Sequence, residues 1–116
     1  MGDPKELALV IKALKSGIGG CVEWEPKEAE RVRGEMRGLD LSPEGIIEEL
    51  IFFVRNGGQV RQVKETRQNR GHRAFYYKVI VPMPDQFKKG LFVELELFDD
   101  DPDLPEVMLV NAHEQN

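Results

Sequence analysis

The sequence predicts an α+β fold, a single domain over residues 1–116 in which an N-terminal helical layer (1–56) packs on a four-stranded antiparallel meander sheet (57–116). Three observations predict it. Apolar residues recur at three- and four-residue spacing as far as Val54, and after Gly58 the period drops to two. The connections between the alternating runs are short and carry Gly, Pro, Asn or Asp, which suits hairpins rather than crossover helices.

Pro4 opens a segment with Leu7, Val10, Ile11 and Leu14 on one face, and Gly17 followed by Gly19-Gly20 ends it, so a helix is expected over Pro4 to Ser16. Cys21 to Trp24 reads as a short extended piece. Pro26 then opens a charged helix, Lys27 to Arg37, whose thin apolar stripe of Ala29, Val32 and Met36 places it on the surface, and Gly38 terminates it. Ser42 is an N-cap with Pro43 at the first helical position and Glu44 in the first turn. The helix that follows carries Ile46, Ile47, Leu50, Ile51, Phe53 and Val54 over more than half its circumference, the pattern of a central core helix, and Asn56-Gly57-Gly58 stops it.

Four runs rich in β-branched and aromatic residues follow: Gln59 to Arg67, Ala74 to Val81, Leu91 to Phe98 and Glu106 to Ala112. In the third of them Val93, Leu95 and Leu97 alternate with Glu94 and Glu96, so one face meets the helices and the other meets solvent or ligand.

Composition bounds the function. The chain has 116 residues, 41% hydrophobic and 32% charged, which is ordinary for a globular domain. No apolar run approaches the roughly 18 residues of a membrane span. The opening residues lack the basic and apolar regions of a signal peptide, so the expected location is cytoplasmic. Cys21 is the single cysteine, which excludes an intrachain disulfide framework and a cysteine-rich zinc site and predicts a partly buried small residue. Asp99, Asp100, Asp101 and Asp103 cluster carboxylates without the glycine and terminal glutamate of an EF-hand loop, and read as a solvated hairpin loop. No metal or cofactor is expected.

Charge is segregated. The net charge of −5 divides into +6 from Arg55 to Lys78 and −11 over the rest. One face should therefore attract polyanions while the others repel them. Arg61, Lys64, Glu65 and Arg67 lie on or beside the first predicted strand, Tyr76, Tyr77 and Lys78 on the second, and His113 just after the fourth. Alternation puts Arg61, Glu65 and Arg67 on one face and Lys64 on the other, and sends Tyr76 and Tyr77 to opposite faces. Cleavage of RNA by 2′-hydroxyl attack needs a base for that hydroxyl, positive charge on the phosphate and an acid for the leaving 5′-oxygen. Glu65 or Lys64 can be the base, Arg67 with Arg61 the phosphate clamp, and His113 the acid. Tyr76 and Tyr77 can stack on an unpaired base, and Arg70, Arg73 and Lys78 extend the RNA-binding surface. The bland counterparts are a cross-strand ion pair at Glu65, a core tyrosine, and a solvated histidine.

The order of elements, with Leu39-Asp40-Leu41-Ser42-Pro43-Glu44-Gly45-Ile46-Ile47 opening the core helix and a meander ending in Glu106-Val107-Met108-Leu109-Val110-Asn111-Ala112-His113, resembles the RelE superfamily of toxin ribonucleases and is faintly similar to the MqsR-type mRNA interferases. The resemblance implies a helical layer over an antiparallel sheet, metal-independent endoribonuclease activity on single-stranded mRNA, including mRNA on the ribosome, and an antitoxin protein as partner. It implies Glu65 and Arg67 on the first predicted strand, an aromatic at Tyr76 or Tyr77, and His113 after the last. Gln62 or Lys64 would occupy the MqsR-type lysine position. These toxins are usually basic, whereas this chain is acidic. The competing functions are a non-catalytic protein-interaction module, such as an antitoxin, immunity protein or phage accessory factor, and a nucleic-acid binder without chemistry.

Overall fold

A computed structural model describes residues 2–17, 21–67 and 73–115. The elements follow in the order α1 (Pro4–Ser16), β1 (Val22–Trp24), α2 (Pro26–Glu35), a 3₁₀ turn (Arg37–Leu39), α3 (Pro43–Arg55), β2 (Arg61–Lys64), β3 (Phe75–Met83), β4 (Phe87–Asp99) and β5 (Glu106–Glu114). The protein is α+β, with helices on a five-stranded mixed sheet of order β1-β5-β4-β3-β2.

Local chemistry sets the helix ends. The Asp3 carboxylate accepts from the Lys5 and Glu6 amides at 3.1 Å and caps α1, while Gly17 closes it with φ 63°. The Arg55 guanidinium reaches across to the Lys15 and Ser16 carbonyls, satisfying acceptors left over at that end. Ser42 Oγ accepts from the Gly45 amide at 3.0 Å and starts α3. The charged second helix stops at Glu35 rather than Arg37, because the chain tightens there into the 3₁₀ turn.

The sheet departs from the expected four-stranded antiparallel meander in one respect. Val22–Trp24, read from sequence as a short extended piece, is a fifth strand that runs parallel to β5, Val22 opposite Val107 and Trp24 opposite Leu109. Its partner lies at the far end of the sequence, so no local turn announces the pairing. The Trp24 indole N–H donates to the Pro43 carbonyl at 2.8 Å and ties this edge strand to the start of α3.

Strand lengths also differ from expectation. The first predicted strand, Gln59 to Arg67, shortens to Arg61–Lys64, because the Glu65 carboxylate accepts from the Arg67 amide at 2.9 Å and turns the chain out of the ladder. The third and fourth predicted strands lengthen. Most of the expected Pro82 to Gly90 connection is strand, with the turn confined to residues 84–86, and β5 runs through His113 to Glu114.

The sheet's two faces differ. Tyr77, Val79 and Val81 of β3, Leu91, Val93, Leu95 and Leu97 of β4, and Val107, Leu109 and Ala112 of β5 are buried with Val10, Leu14, Ile46, Leu50 and Val54 of the helices. Each such aliphatic side chain contributes about 1.5–3 kcal/mol by leaving water. Cys21 is buried at the edge of this core. Among the described residues no helix covers the other face, and the alternate residues of β2 to β5 form its surface. No helix among the described residues is long and apolar enough to cross a membrane.

Candidate functional site

Register decides which side chains share the open face. Arg61 of β2 stands opposite Lys78 of β3, Lys78 opposite Glu94 of β4, and Glu94 opposite Asn111 of β5, giving one row across four strands. Beside it runs a second row, Ile80, Phe92 and His113, and on the other side Tyr76 pairs with Val63. The residue after Leu109, Val110, is an extra one in β5, and this bulge restores the phase that brings Asn111 and His113 to the open side.

At the centre of the face is Glu94, a charged residue only 1% exposed. Arg67 holds it bidentately, with guanidinium nitrogens 3.2 and 2.8 Å from its two oxygens. The same guanidinium takes both oxygens of Glu65 at 2.9 Å. Its plane lies over the Tyr76 ring, 4.1 Å from the centroid. Carboxylates on two sides, Glu65 first and Glu94 second, hold Arg67 protonated well beyond the ordinary arginine range. The triad therefore carries one net negative charge, and four of the five guanidinium N–H groups are engaged by its carboxylates.

Arg61 and Lys78 are different. Directly opposed like charges are destabilising, and neither forms an ion pair among the described residues. Lys78 Nζ lies 5.9 Å from the Phe92 ring centroid. The same ring carries His113, stacked at 4.6 Å with an interplanar angle of 18°. His113 Nδ1 is 2.9 Å from the Glu114 carbonyl oxygen. A carbonyl can only accept, so Nδ1 carries a hydrogen, and in the neutral ring that tautomer places the lone pair on Nε2. His113 lies diagonally from Glu94, a spacing of about 7–8 Å in an antiparallel pair. At the outer edge of β5, Arg31 of α2 donates to Asn111 Oδ1 and the Ala112 carbonyl, both at 3.0 Å, and fixes the strand that bears the histidine. Hydrogen bonds to Glu28 first, and then to Glu35, raise the Arg31 pKa above its ordinary value.

Of the residues singled out from sequence, Arg61, Arg67, Tyr76, Lys78 and His113 meet on this face, and Glu65 reaches it through Arg67. Lys64 lies on the opposite side, in register with Phe75. Tyr77 is fully buried toward the helices. Its hydroxyl donates to Glu6 and accepts from Gln62, both at 2.8 Å, and burial pushes its pKa above the ordinary phenol value. That position takes Tyr77 away from the open face. Arg73 donates to the Phe98 carbonyl at 2.9 Å. Arg70 lies outside the described residues. Gln62, one of two candidates for the MqsR-type lysine position, bonds the Asp3 backbone on both sides. Glu94, Phe92 and Asn111 escaped sequence reasoning. Only the alternation in β4 pointed to Glu94, placing it on the face that meets solvent or ligand.

Among the described residues no cluster of three His, Cys, Asp or Glu side chains is arranged to hold a metal ion. In the acidic loop Asp99 accepts from the Asp101 amide and Asp101 from the Asp103 amide, so these carboxylates serve the turn. The chain matches no family model, and no curated protein and no solved structure shows significant similarity to it.

Proposed function

We propose that the open sheet face binds single-stranded RNA and cleaves it by attack of a ribose 2′-hydroxyl on the adjacent phosphorus. The observation that supports this reading is the opposed pair Arg61 and Lys78, two cations without ion-pair partners among the described residues, one row away from a histidine whose Nδ1 is bonded to the Glu114 carbonyl, which in the neutral ring leaves Nε2 as the base. A phosphodiester between the cations relieves their repulsion and gains charge stabilisation as its oxygens load. His113 Nε2 takes the 2′-proton while the 2′-oxygen bonds phosphorus. The P–O5′ bond breaks, and the Lys78 ammonium supplies the proton to the departing 5′-oxygen. The products are a 2′,3′-cyclic phosphate and a 5′-hydroxyl end. Arg67 acts as a platform over Tyr76 rather than as the clamp, because two carboxylates engage it. This is the activity that the RelE-like order of elements implies, with a cytoplasmic mRNA as target.

The committed Arg67 donors favour a second reading, a non-catalytic module whose basic face is covered by an acidic protein such as an antitoxin. Incubation of the pure protein with a defined single-stranded RNA, with and without EDTA, separates the two. Cyclic-phosphate ends that survive chelation and fall by about 10²-fold or more in His113→Ala are expected of the ribonuclease. No cleavage, together with retained binding of an acidic protein, would overturn it.

A further inference from the structure

Toward the tip of the β3–β4 hairpin the open face carries a groove that the cleavage step does not use. Between the pairs Val81–Leu91 and Met83–Phe87, three residues of β4, Lys88, Lys89 and Gly90, stand against Pro82 alone. Pro82 has no amide hydrogen for the ladder, and the surplus residues bulge outward. Gly90 takes φ 92°, and a Cβ there would come within 2.9 Å of the Val81 carbonyl oxygen and 3.0 Å of Ile80 Cγ2. The result is a cavity of about 300 Å³ walled by Ile80, Pro82 and Phe87, floored by Gly90 and rimmed by Lys88 and Lys89.

Three features identify its occupant. Ile80 is in register with Phe92, and Phe92 with His113, so the groove continues into the aromatic stack of the row described above. Ile80 lies two residues along β3 from Lys78, about 6–7 Å. The groove's charge is positive and without carboxylates, whereas the neighbouring cavity between α3 and the same hairpin is lined by Asp40, Glu48, Glu49 and Asp85 and repels a polyanion. An apolar slot of this size beside exposed lysines suits a flat base with its phosphate.

We infer that this groove is a subsite for a nucleotide flanking the cleaved phosphodiester, with the base between Ile80 and Pro82 over Gly90 and its phosphate at Lys88 and Lys89. The subsite presupposes the RNA-cleaving face, and extends it toward the hairpin tip.

The test compares a dinucleotide with a longer single-stranded RNA. In Lys88→Glu/Lys89→Glu the preference in kcat/KM for the longer RNA over the dinucleotide collapses by about tenfold, and the slope of log affinity against log salt for the longer RNA falls by about 1.4, the loss of two phosphate contacts. Lys88→Gln/Lys89→Gln moves both quantities the same way by less, and Ile80→Ser weakens the longer RNA alone. Lys15→Glu, on the helical layer, retains the wild-type preference. Cleavage by the wild-type protein with no change of preference in the lysine variants would overturn the groove and leave the ribonuclease standing. No RNA cleavage by the wild-type protein would overturn both. Displacement of the longer RNA by polyglutamate at equal charge concentration would overturn the nucleotide assignment in favour of an acidic protein.

Discussion

Replacing Arg67 by alanine takes one guanidinium away from two sequestered carboxylates at once. Glu94 is 1% exposed and loses its cation, and Glu65, with a side chain 6% exposed, loses the fork that holds both its oxygens. Removing one member of a buried pair costs roughly 3–5 kcal/mol, because the remaining charge keeps its desolvation penalty. Arg67 is itself 35% exposed, and solvent screening of its charge brings the expected loss to roughly 2–4 kcal/mol. For a chain of this length that lowers Tm by about 4 °C per kcal/mol. Urea unfolding of Arg67→Ala, Glu94→Gln and the double variant measures it directly. In the Glu94→Gln background the arginine substitution should cost about 1–2 kcal/mol less, since a neutral amide at that position needs no counter-charge. The pH dependence carries a sign. Arg67 has a folded pKa raised above its unfolded value, so its contribution is complete below the unfolded pKa and is lost only as pH rises through the folded one. The gap between wild type and Arg67→Ala therefore stays constant from about pH 7 to about pH 10. A cost under about 1 kcal/mol, or strictly additive single variants, would refute the burial reasoning and reduce the triad to a surface ion pair.

Three further outcomes follow from the geometry. Tyr77→Phe strips a buried hydroxyl from Gln62 and Glu6 and should cost about 1–2 kcal/mol in thermal unfolding followed by circular dichroism, whereas loss of RNA cleavage at unchanged fold would return Tyr77 to the site. Gly90→Ala places a Cβ against the Val81 carbonyl at φ 92°, with an expected loss of about 1–3 kcal/mol in the same assay; a neutral result would mean that the hairpin yields freely. The Arg33 guanidinium, bonding Glu44 at 2.7 Å, lowers the Glu44 pKa, so its stabilisation is present above the unfolded value and is lost as pH falls through the folded one. Both side chains are largely exposed, so Glu44→Gln should differ from wild type by only a few tenths of a kcal/mol at neutral pH and converge with it in urea titrations as pH falls below the lowered folded pKa.

Much of the fold was legible because local rules were strong. Pro4 with Gly17, and Ser42-Pro43 with Asn56, mark the ends of α1 and α3 through caps that involve only nearby residues. The switch of period after Gly58 marks the sheet for the same reason. What escaped depended on residues distant in sequence. Three residues at Val22–Trp24 become a strand only because β5 lies alongside. Glu94 has the alternating pattern of a solvent-facing strand residue, and is buried because Arg67, on the connection between β2 and β3, closes over it. Charge segregation singled out the β2–β3 hairpin, and alternation separated Lys64 from Arg61 as the register does. Neither could show that the most prominent arginine is engaged by two neighbouring carboxylates while the plainer pair, Arg61 and Lys78, stands opposed without an ion pair among the described residues.

The pairing of β1 with β5 sets an order of events during synthesis. Helices α1 and α3 can form as soon as they leave the ribosome, and β2, β3 and β4 can zip by successive hairpins. β5 is made after all of these and yet takes an interior place, between β1 and β4. Until it arrives, β1 has no partner, one side of β4 is an open edge, and Phe92 lacks the imidazole that stacks on it. A nascent chain of this protein thus exposes a sticky strand edge until β5 has been made. Until β5 has emerged Glu94 and Phe92 also lack Asn111 and His113 as neighbours, so the chemistry proposed for the sheet face waits on that strand taking its place between β1 and β4.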